Sequence, residues 1–582
     1  MLPSRNHYDV IVVGAGVVGP AVATTLARQG RRVLIVERDW SEPDRIVGEL
    51  MQPSGLRALK AMGMLLAINN ANAIHVDGYY VAYHDTQVDI KYPFKADVAA
   101  TEPVPHCVAD TLHTDATLDA VDWESCERER GVGFHHGLFI LNLRAIAKRE
   151  PNVTALQGTV TKLEGSEVVT GIRVNIEDAK NVLYTADLTV ACDGIYSRFR
   201  KLISANNMPV TGSHFVGMTL KNAVLPAPNH GHVILGDHAP ILLYQISPED
   251  TRILCAYRSA KPPAASDLHN YLQDQVLPHL PVLVKPSFKA ALAAERPRVM
   301  PNQYLSARPN KVPGLLLIGD ALNMRHPLTG GGMTVGLNDA ALVARILAPE
   351  RCPSLANHAQ VLKCLTEFHS RRKSLDSVVN VLSIALYTLF AADNANLTIL
   401  QKGCFGYFLR GGECVSGPAG LLSGLLPSPF ALFYHFFSVA FYALYLNFGD
   451  KWRHQGILGL LLAVLQVFTV LYTAVVVFAP YLWNELLGRF TSVVIPQQIS
   501  ITQQSAHAFS PIAKVVPSYI PLATNVVIPK VNACGSVISL VPAPTENAFY
   551  LDSVKRKRKL KMKKHKLRKR RRAQRALKKK LE

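Results

Sequence analysis

The hydrophobic pattern of the chain changes character twice. As far as residue 320 the apolar residues come in short runs of strand length, at 8–13 (mostly β-branched), 32–36, 189–192 (small residues) and 314–318. Runs of that length bounded by glycine or acid read as buried strands. Between 205 and 300 strand-like runs alternate, as at 233–235 and 241–246, which suits a sheet-based domain. From Leu337 to about Asn396 the period becomes helical. Beyond 430 the polar face disappears: 430–448 is apolar apart from His435, Ser438 and Asn447, and 456–483 carries no formal charge. Each stretch is long enough to reach across a hydrocarbon core, which takes roughly 20 residues.

The join between those stretches, 450–455, is strongly polar. If both crossed the membrane, Lys451 and Arg453 would lie on the side opposite the body of the chain, against the positive-inside bias. A hairpin dipping into one leaflet avoids that conflict, so monotopic attachment is expected. The pattern predicts an α/β fold: a Rossmann-type nucleotide-binding domain in three parts (1–83, 134–204 and 301–345) with an inserted sheet-based substrate domain (205–300). An exposed insertion is expected at 84–133, where acids are many and long apolar runs few. A helical region (346–429) and the membrane-associated hairpin (430–490) follow, then a linker or disordered stretch (491–553) and a basic tail (554–582).

Charge changes this picture only at one end. Of a formal +20, the segment 555–580 supplies 18 Lys and Arg, so the body before it is nearly neutral. Such a tail can bind anionic lipid, RNA or an import receptor, or remain solvated. The nine cysteines are scattered and odd in number without a Cys-x-x-Cys pair, which fits a reducing compartment and argues against a zinc site. The opening segment, 1–7, is too short and polar for a secretory signal.

Three strand ends carry the candidate chemistry. After 8–13 come Gly14, Gly16 and Gly19, then a helical stretch and a second strand that ends at Glu37. Glycines at this spacing allow a tight turn, close approach to a pyrophosphate and close helix–strand packing, and the acid can hold a ribose. The second end is Asp193-Gly194, followed by Arg198 and Arg200. The third is Gly319-Asp320, leading to Gly330, Gly331 and Gly332 at a helix start. A carboxylate there can accept from a sugar or ribitol hydroxyl, and bare backbone can approach a flavin ring.

Together these segments resemble the single-component FAD monooxygenases. The closer resemblance, over 7–490, is to the squalene monooxygenase (squalene epoxidase) family, carried by 44–53, 135–144, 320–333 and 417–423. That resemblance implies FAD as cofactor, held by Gly14, Gly16, Gly19 and Glu37 at the ADP half, with Arg38 and Arg45 near the phosphates. It places Arg144 and Val160 against the cofactor, Asp320 at the ribitol, and Gly331, Gly332 and Met333 against the isoalloxazine. Gln52 and Tyr79 match the family's glutamine–tyrosine pair beside the flavin. Leu50, Met51, Phe215, Leu243, Tyr244 and Pro327 are expected to line an apolar cavity, while His135, His136 and His326 are expected to be structural.

The implied reaction is epoxidation of squalene to (S)-2,3-epoxysqualene in sterol biosynthesis, through a flavin hydroperoxide formed from O2. Its electrons come from NADPH by way of a membrane-bound NADPH–cytochrome reductase, with the catalytic domain on the cytosolic side of the endoplasmic reticulum membrane. No nucleic-acid partner is expected apart from the tail. Nothing in the chain suggests a hydrolytic triad, a P-loop or a metal site. Two alternatives stay open: another membrane flavoenzyme acting on a prenyl lipid, and a non-catalytic membrane adaptor with a vestigial flavin fold.

Overall fold

The computed structural model describes residues 6–69, 71–108, 126–203 and 207–487. At its centre is the strand His7–Val13, where Val10, Ile11 and Val12 are wholly buried. It pairs in parallel with Val33–Glu37 on one side and Val182–Ala191 on the other. Val153–Gln157 and Leu315–Leu317 extend the parallel run at its two ends. Strands apolar on both faces need covering on both, and the helices Val18–Arg28, His136–Arg149 and Gly331–Ile346 contribute to the same core.

The register explains how motifs far apart in the chain become one site. Val36, Val13, Ala191 and Leu317 stand in a single row across the sheet. The next residues along each strand therefore emerge along one edge: Glu37, Gly14, Cys192 with Asp193, and Ile318 with Gly319 and Asp320. Ligands of open α/β sheets bind at that carboxyl edge.

A second, seven-stranded sheet runs in the order Arg298–Tyr304, Val210–Lys221, Asp250–Tyr257, Ile241–Gln245, His230–Leu235, Gly78–Tyr83 and Thr86–Lys91. The last two strands precede the expected substrate domain, and Thr86–Lys91 falls inside the stretch expected to be an exposed insertion. It is an edge strand with Thr86, Gln87, Asp89 and Lys91 toward solvent or only partly covered, so its composition reads like that of a loop. Arg298–Tyr304 likewise carries the sheet past residue 300.

Alternation divides the faces of this sheet. Phe215, Leu242, Tyr244 and Tyr79 point to one side with Leu50 and Leu328. Ile241, Leu243 and Val216 point to the other, against the helices Ala265–Asn270 and Lys285–Ala294. Leu243 therefore does not line the cavity expected of it: successive strand residues face opposite ways, and Tyr244 occupies the inner position.

The helices His358–Ala391, Ala395–Phe408 and Glu413–Leu422 lead to the long element Pro429–Leu482, which breaks at Gly456 (φ 57°, ψ −138°). Its halves fold back on each other, with Asn447 donating to Gln466 (2.9 Å) and Phe436 stacked on Phe478 at 4.4 Å. The hairpin is uncovered where His358–Ala391 is not: 17 % of its most apolar window is buried, against 72 %. Phe441, Tyr445, Leu461, Leu465, Phe468 and Tyr472 all stand exposed. An apolar surface of that extent marks an interaction surface rather than a core. The linker and basic tail expected at 491–553 and 554–582 lie outside the described residues.

Candidate active site

The glycine turn is built by close approach. Gly14 has φ +98°, and a Cβ there would meet the Cys192 carbonyl oxygen at 2.7 Å. A Cβ on Gly19 would stand 1.9 Å from the carbonyl oxygen of Gly14, so the helix can start this near the strand only with hydrogen at that position. Gly16 is different: a Cβ there meets nothing within 4 Å. The Glu37 carboxylate caps the turn, accepting from the N–H of Ala15 (2.7 Å) and of Arg38 (2.9 Å).

Arg144, buried in the helix after His135-His136, braces the same turn by donating to the carbonyls of Ala15 (2.9 Å) and Ser41 (2.7 Å). Burial lowers its pKa from the usual arginine range, with Glu37 and Asp39 pulling the other way. Val160, half-buried, follows Gly158, whose N–H donates to the Glu37 carbonyl (2.8 Å), so it too belongs to this end. Arg38 is exposed at the mouth.

At the opposite end of the row, Gly319 (φ +65°) turns the chain and presents Asp320. Burial raises the Asp320 carboxyl above its ordinary range, opposed in order by the charges of Arg325, Arg45 and Arg200. Its own backbone carbonyl takes the guanidinium of Arg200 (2.9 Å), which ties the Asp193 strand end to this one. The glycine triplet divides its work. Gly330 is left-handed (φ +63°), and a Cβ on Gly331 would lie 2.4 Å from Val379, a packing need. Gly332 faces open space, and Met333 lies buried beside Gly48.

Gln52, fully buried just before the helix Pro53–Ala61, organises the third part. Its Nε2 donates to the Tyr79 hydroxyl and to the Thr329 carbonyl (2.7 Å). Its Oε1 accepts from the Tyr92 hydroxyl (2.7 Å). Tyr79 and Tyr92 meet edge-on, ring centroids 6.0 Å apart. Burial raises the Tyr79 pKa, while hydrogen bonds from Gln52 and Tyr92 act against that. The phenol is thus held neutral in a fixed place, its oxygen accepting from Gln52.

Tyr92 and the Thr329 carbonyl escaped the sequence reading. So did the buried pair of Glu49 and Arg252, joined by two bonds of 2.7 Å. An acid in the apolar run before Leu50 was the available signal for Glu49. The histidines take structural places. His136 Nδ1–H donates to the Gly48 carbonyl (2.8 Å), and His135 Nε2 lies 3.3 Å from Asp250. His326 accepts from the Leu328 N–H (3.2 Å), donates to Ser213 (3.1 Å) and stacks on Tyr387 at 3.9 Å. That stack holds the loop of Pro327 and Leu328.

An apolar cluster starts at Tyr79, Leu50, Phe215, Tyr244 and Leu328. It continues through Tyr387, Phe390, Leu400 and Cys404 to Ala443, Val470 and Ala474 of the hairpin. Met51, by contrast, packs into the nucleotide-domain core, on the far side of its strand from Leu50.

Comparison with known proteins settles the family. A family model described as squalene epoxidase matches residues 185–465. Squalene epoxidase ERG1 of Candida albicans is 54 % identical over 498 residues, covering 83 % of this chain and 100 % of the relative. The chain belongs to the squalene epoxidase family. The mouse squalene monooxygenase is 38 % identical, covering 82 % of this chain and 78 % of its own. The solved structures share the fold: a flavoprotein/dehydrogenase of Cytophaga hutchinsonii has a TM-score of 0.57 at 15 % identity, covering 76 % of this chain and 100 % of its own. PqsL of Pseudomonas aeruginosa, titled a probable FAD-dependent monooxygenase, has a TM-score of 0.50 at 19 % identity over 66 % and 97 %. Separately, residues 551–582 match a model described as the C-terminal part of the mitochondrial mRNA-processing protein COX24.

Squalene epoxidases are FAD-dependent, and the residues present fit that cofactor. Bare backbone faces open space at Gly16 and Gly332. Glu37 and Asp320 present carboxylates at two of the strand ends, and the buried Asp193 Oδ1 has no hydrogen-bond partner among the described residues.

Proposed function

We propose that the protein oxidises squalene to (S)-2,3-epoxysqualene, adding one oxygen atom of O2 to the alkene and releasing the other as water, with two electrons from NADPH through a membrane-bound reductase and two protons. The observation that carries the reading is the Gln52–Tyr79–Tyr92 cluster, bonded to the carbonyl just before the flavin-side glycines and packed on an apolar cluster that reaches the hairpin. When bound, FAD supplies the electrophilic oxygen that an isolated alkene needs. Gly14, Gly16, Gly19 and Glu37 hold its ADP half, with Arg38, Arg144 and Val160 around them. Asp320 accepts from the ribitol, with Arg45 nearby, while Gly331, Gly332 and Met333 flank the ring system. Gln52 fixes the Tyr79 hydroxyl, which keeps its proton and donates it as a hydrogen bond toward the reacting edge. Leu50, Phe215, Tyr244 and Pro327 exclude water and hold the polyene. Squalene is nearly insoluble in water, so a hairpin seated in one leaflet of the endoplasmic reticulum membrane supplies it directly. The decisive test is mass spectrometry of products from detergent-solubilised protein given FAD, NADPH, reductase and squalene. An epoxide formed in air and absent under nitrogen is expected; bound FAD with NADPH oxidation but no epoxide would sink the substrate assignment.

The tail supports a second, separate reading. The 18 Lys and Arg of 555–580, in a segment similar to a part of an mRNA-processing protein, favour RNA as its ligand. RNA binding by the full chain should weaken steeply with salt and vanish on truncation after residue 490. Binding that survives truncation would place the RNA contact elsewhere.

A further inference from the structure

After the hairpin the chain returns into the catalytic fold. Glu485, in the short helix Trp483–Leu487, has a side chain with no exposed surface. Its Oε1 accepts from the Tyr304 hydroxyl (2.7 Å) and from Asn380 Nδ2 (2.9 Å), and its Oε2 from Lys373 Nζ (2.8 Å). A buried carboxylate is tolerable only when its charge and lone pairs are met, and here three donors meet them. None of the three belongs to the hairpin. Tyr304 closes a strand of the substrate sheet, and Lys373 and Asn380 lie two turns apart on His358–Ala391.

From Glu485 the contacts continue to the flavin side without interruption. Lys373 stands 3.5 Å from Asp376, which also accepts from Arg372. Arg372 forks onto Asp339 of the helix Gly331–Ile346 (2.9 and 2.7 Å). Its Nη2 reaches Asn323 Oδ1 at 3.5 Å, and that oxygen takes Arg325 Nη2 at 2.6 Å. Arg325 Nη1 in turn donates to the carbonyl of Gly331 (3.1 Å). Every member is buried or nearly so, in a medium where such bonds are strong and an unpaired member is costly.

We infer that Glu485 is a positioning residue for the flavin site: it ties the returning arm of the hairpin to the ion-pair chain that holds Arg325 and the first turn of the Gly331–Ile346 helix. This rests on reading Asp320 and that helix start as the flavin side of the site. Removing the Glu485 charge leaves Lys373 with only Asp376, which Arg372 also needs. The strain passes to Asp339, Asn323 and Arg325, beside the Asp320 carboxylate. Seating of the lipid-facing arm and geometry of the oxygenation site are then one equilibrium, because the same carboxylate serves both.

The test uses the full chain in detergent or nanodiscs, with Glu485→Gln, Glu485→Asp and the double variant Glu485→Gln/Lys373→Met. FAD affinity is measured by flavin fluorescence, and coupling as hydrogen peroxide released per NADPH consumed. Glu485→Gln is expected to weaken FAD at least tenfold and to raise the peroxide fraction severalfold, with KM for squalene within twofold of wild type. Glu485→Asp should recover part of this, and the double variant more than half, since it leaves no unpaired buried charge. FAD affinity and coupling within twofold of wild type in Glu485→Gln would overturn the inference. If that variant does not fold, Tyr304→Phe removes one donor and keeps the charges. A several-fold loss of FAD affinity there supports the inference, and no change overturns it. A wild-type protein that binds no FAD would remove the flavin reading and this inference with it; a wild type that binds FAD beside an unaltered Glu485→Gln removes only the inference.

Discussion

At the scale of single residues, the site depends on donors whose alternatives have been taken away. The two N–H bonds of the Gln52 amide go to Tyr79 and the Thr329 carbonyl, and its oxygen is taken by Tyr92, so the amide cannot flip without losing all three. Tyr79→Phe removes the hydroxyl and little volume. It is expected to keep FAD and lose at least tenfold in epoxide formation by the product assay; turnover equal to wild type would refute the role given to the phenol. Asp320→Ala acts on the cofactor instead. It should lower FAD retention at least tenfold, read as flavin absorbance of the protein peak after gel filtration, and a fully loaded variant would contradict the ribitol assignment. Gln52 and Tyr79 were legible because Gln52 sits in a matched segment and the spacing to Tyr79 agrees with the family's pair. Tyr92 was not, since its place follows from strand pairing. It comes directly after Thr86–Lys91, and only the register of that strand with Gly78–Tyr83 brings it back to Gln52.

At the scale of elements, the strand–turn–helix unit distinguishes glycines that pack from glycines that leave room. In Gly19→Ala the new Cβ meets the Gly14 backbone oxygen at 1.9 Å, where no side chain can swing away. The helix must shift, at a cost of about 1–3 kcal/mol, and the apoprotein should melt about 1–3 °C lower. Gly16→Ala has no such neighbour. It should melt like wild type without FAD yet bind FAD poorly, because the methyl group enters the pyrophosphate space. Equal effects of the two substitutions on apoprotein melting would show that the turn is not built this way. The glycine spacing was legible because one turn dictates it locally. The inner face of Ile241–Gln245 was not: alternation says that neighbours differ, but not which of Leu243 and Tyr244 faces the cavity. Gly331 has a second reason to be small that the sequence does not show: a Cβ there would meet Val379, on a distant helix, at 2.4 Å.

At the scale of the whole molecule, three histidines are kept neutral by burial, at pKa values of about 4 for His136 and His232 and about 3 for His326. Their unfolded values lie near 6.5, so at these sites, between pH 6.5 and about 3, the unfolded chain binds more protons than the folded one, and their contribution to stability falls as pH falls. Buried carboxyls with raised pKa, among them Glu49, Asp320 and Asp339, act in the opposite sense, so the histidines are read one by one: NMR titration should show His136, His232 and His326 still neutral at pH 5, and an imidazole titrating near 6.5 would show that it is not held neutral.

The order of the three strand-end motifs along the chain and the uncharged stretch after 456 made the architecture legible. The buried chain from Glu485 to Arg325 was hidden, because its members come from separate elements and each looks like an ordinary surface charge. The same division sets the last expectation. The segments that resemble the family lie within 7–490, and the sequence likeness to Candida albicans ERG1 covers 83 % of the chain. The 18 Lys and Arg of 555–580 meet no counterpart in the oxygenation chemistry. Truncation after residue 490 retains Glu485 and should leave epoxide formation per bound FAD within twofold of the full chain. A fall beyond that, at unchanged FAD content and melting temperature, would make the tail part of the oxygenase after all.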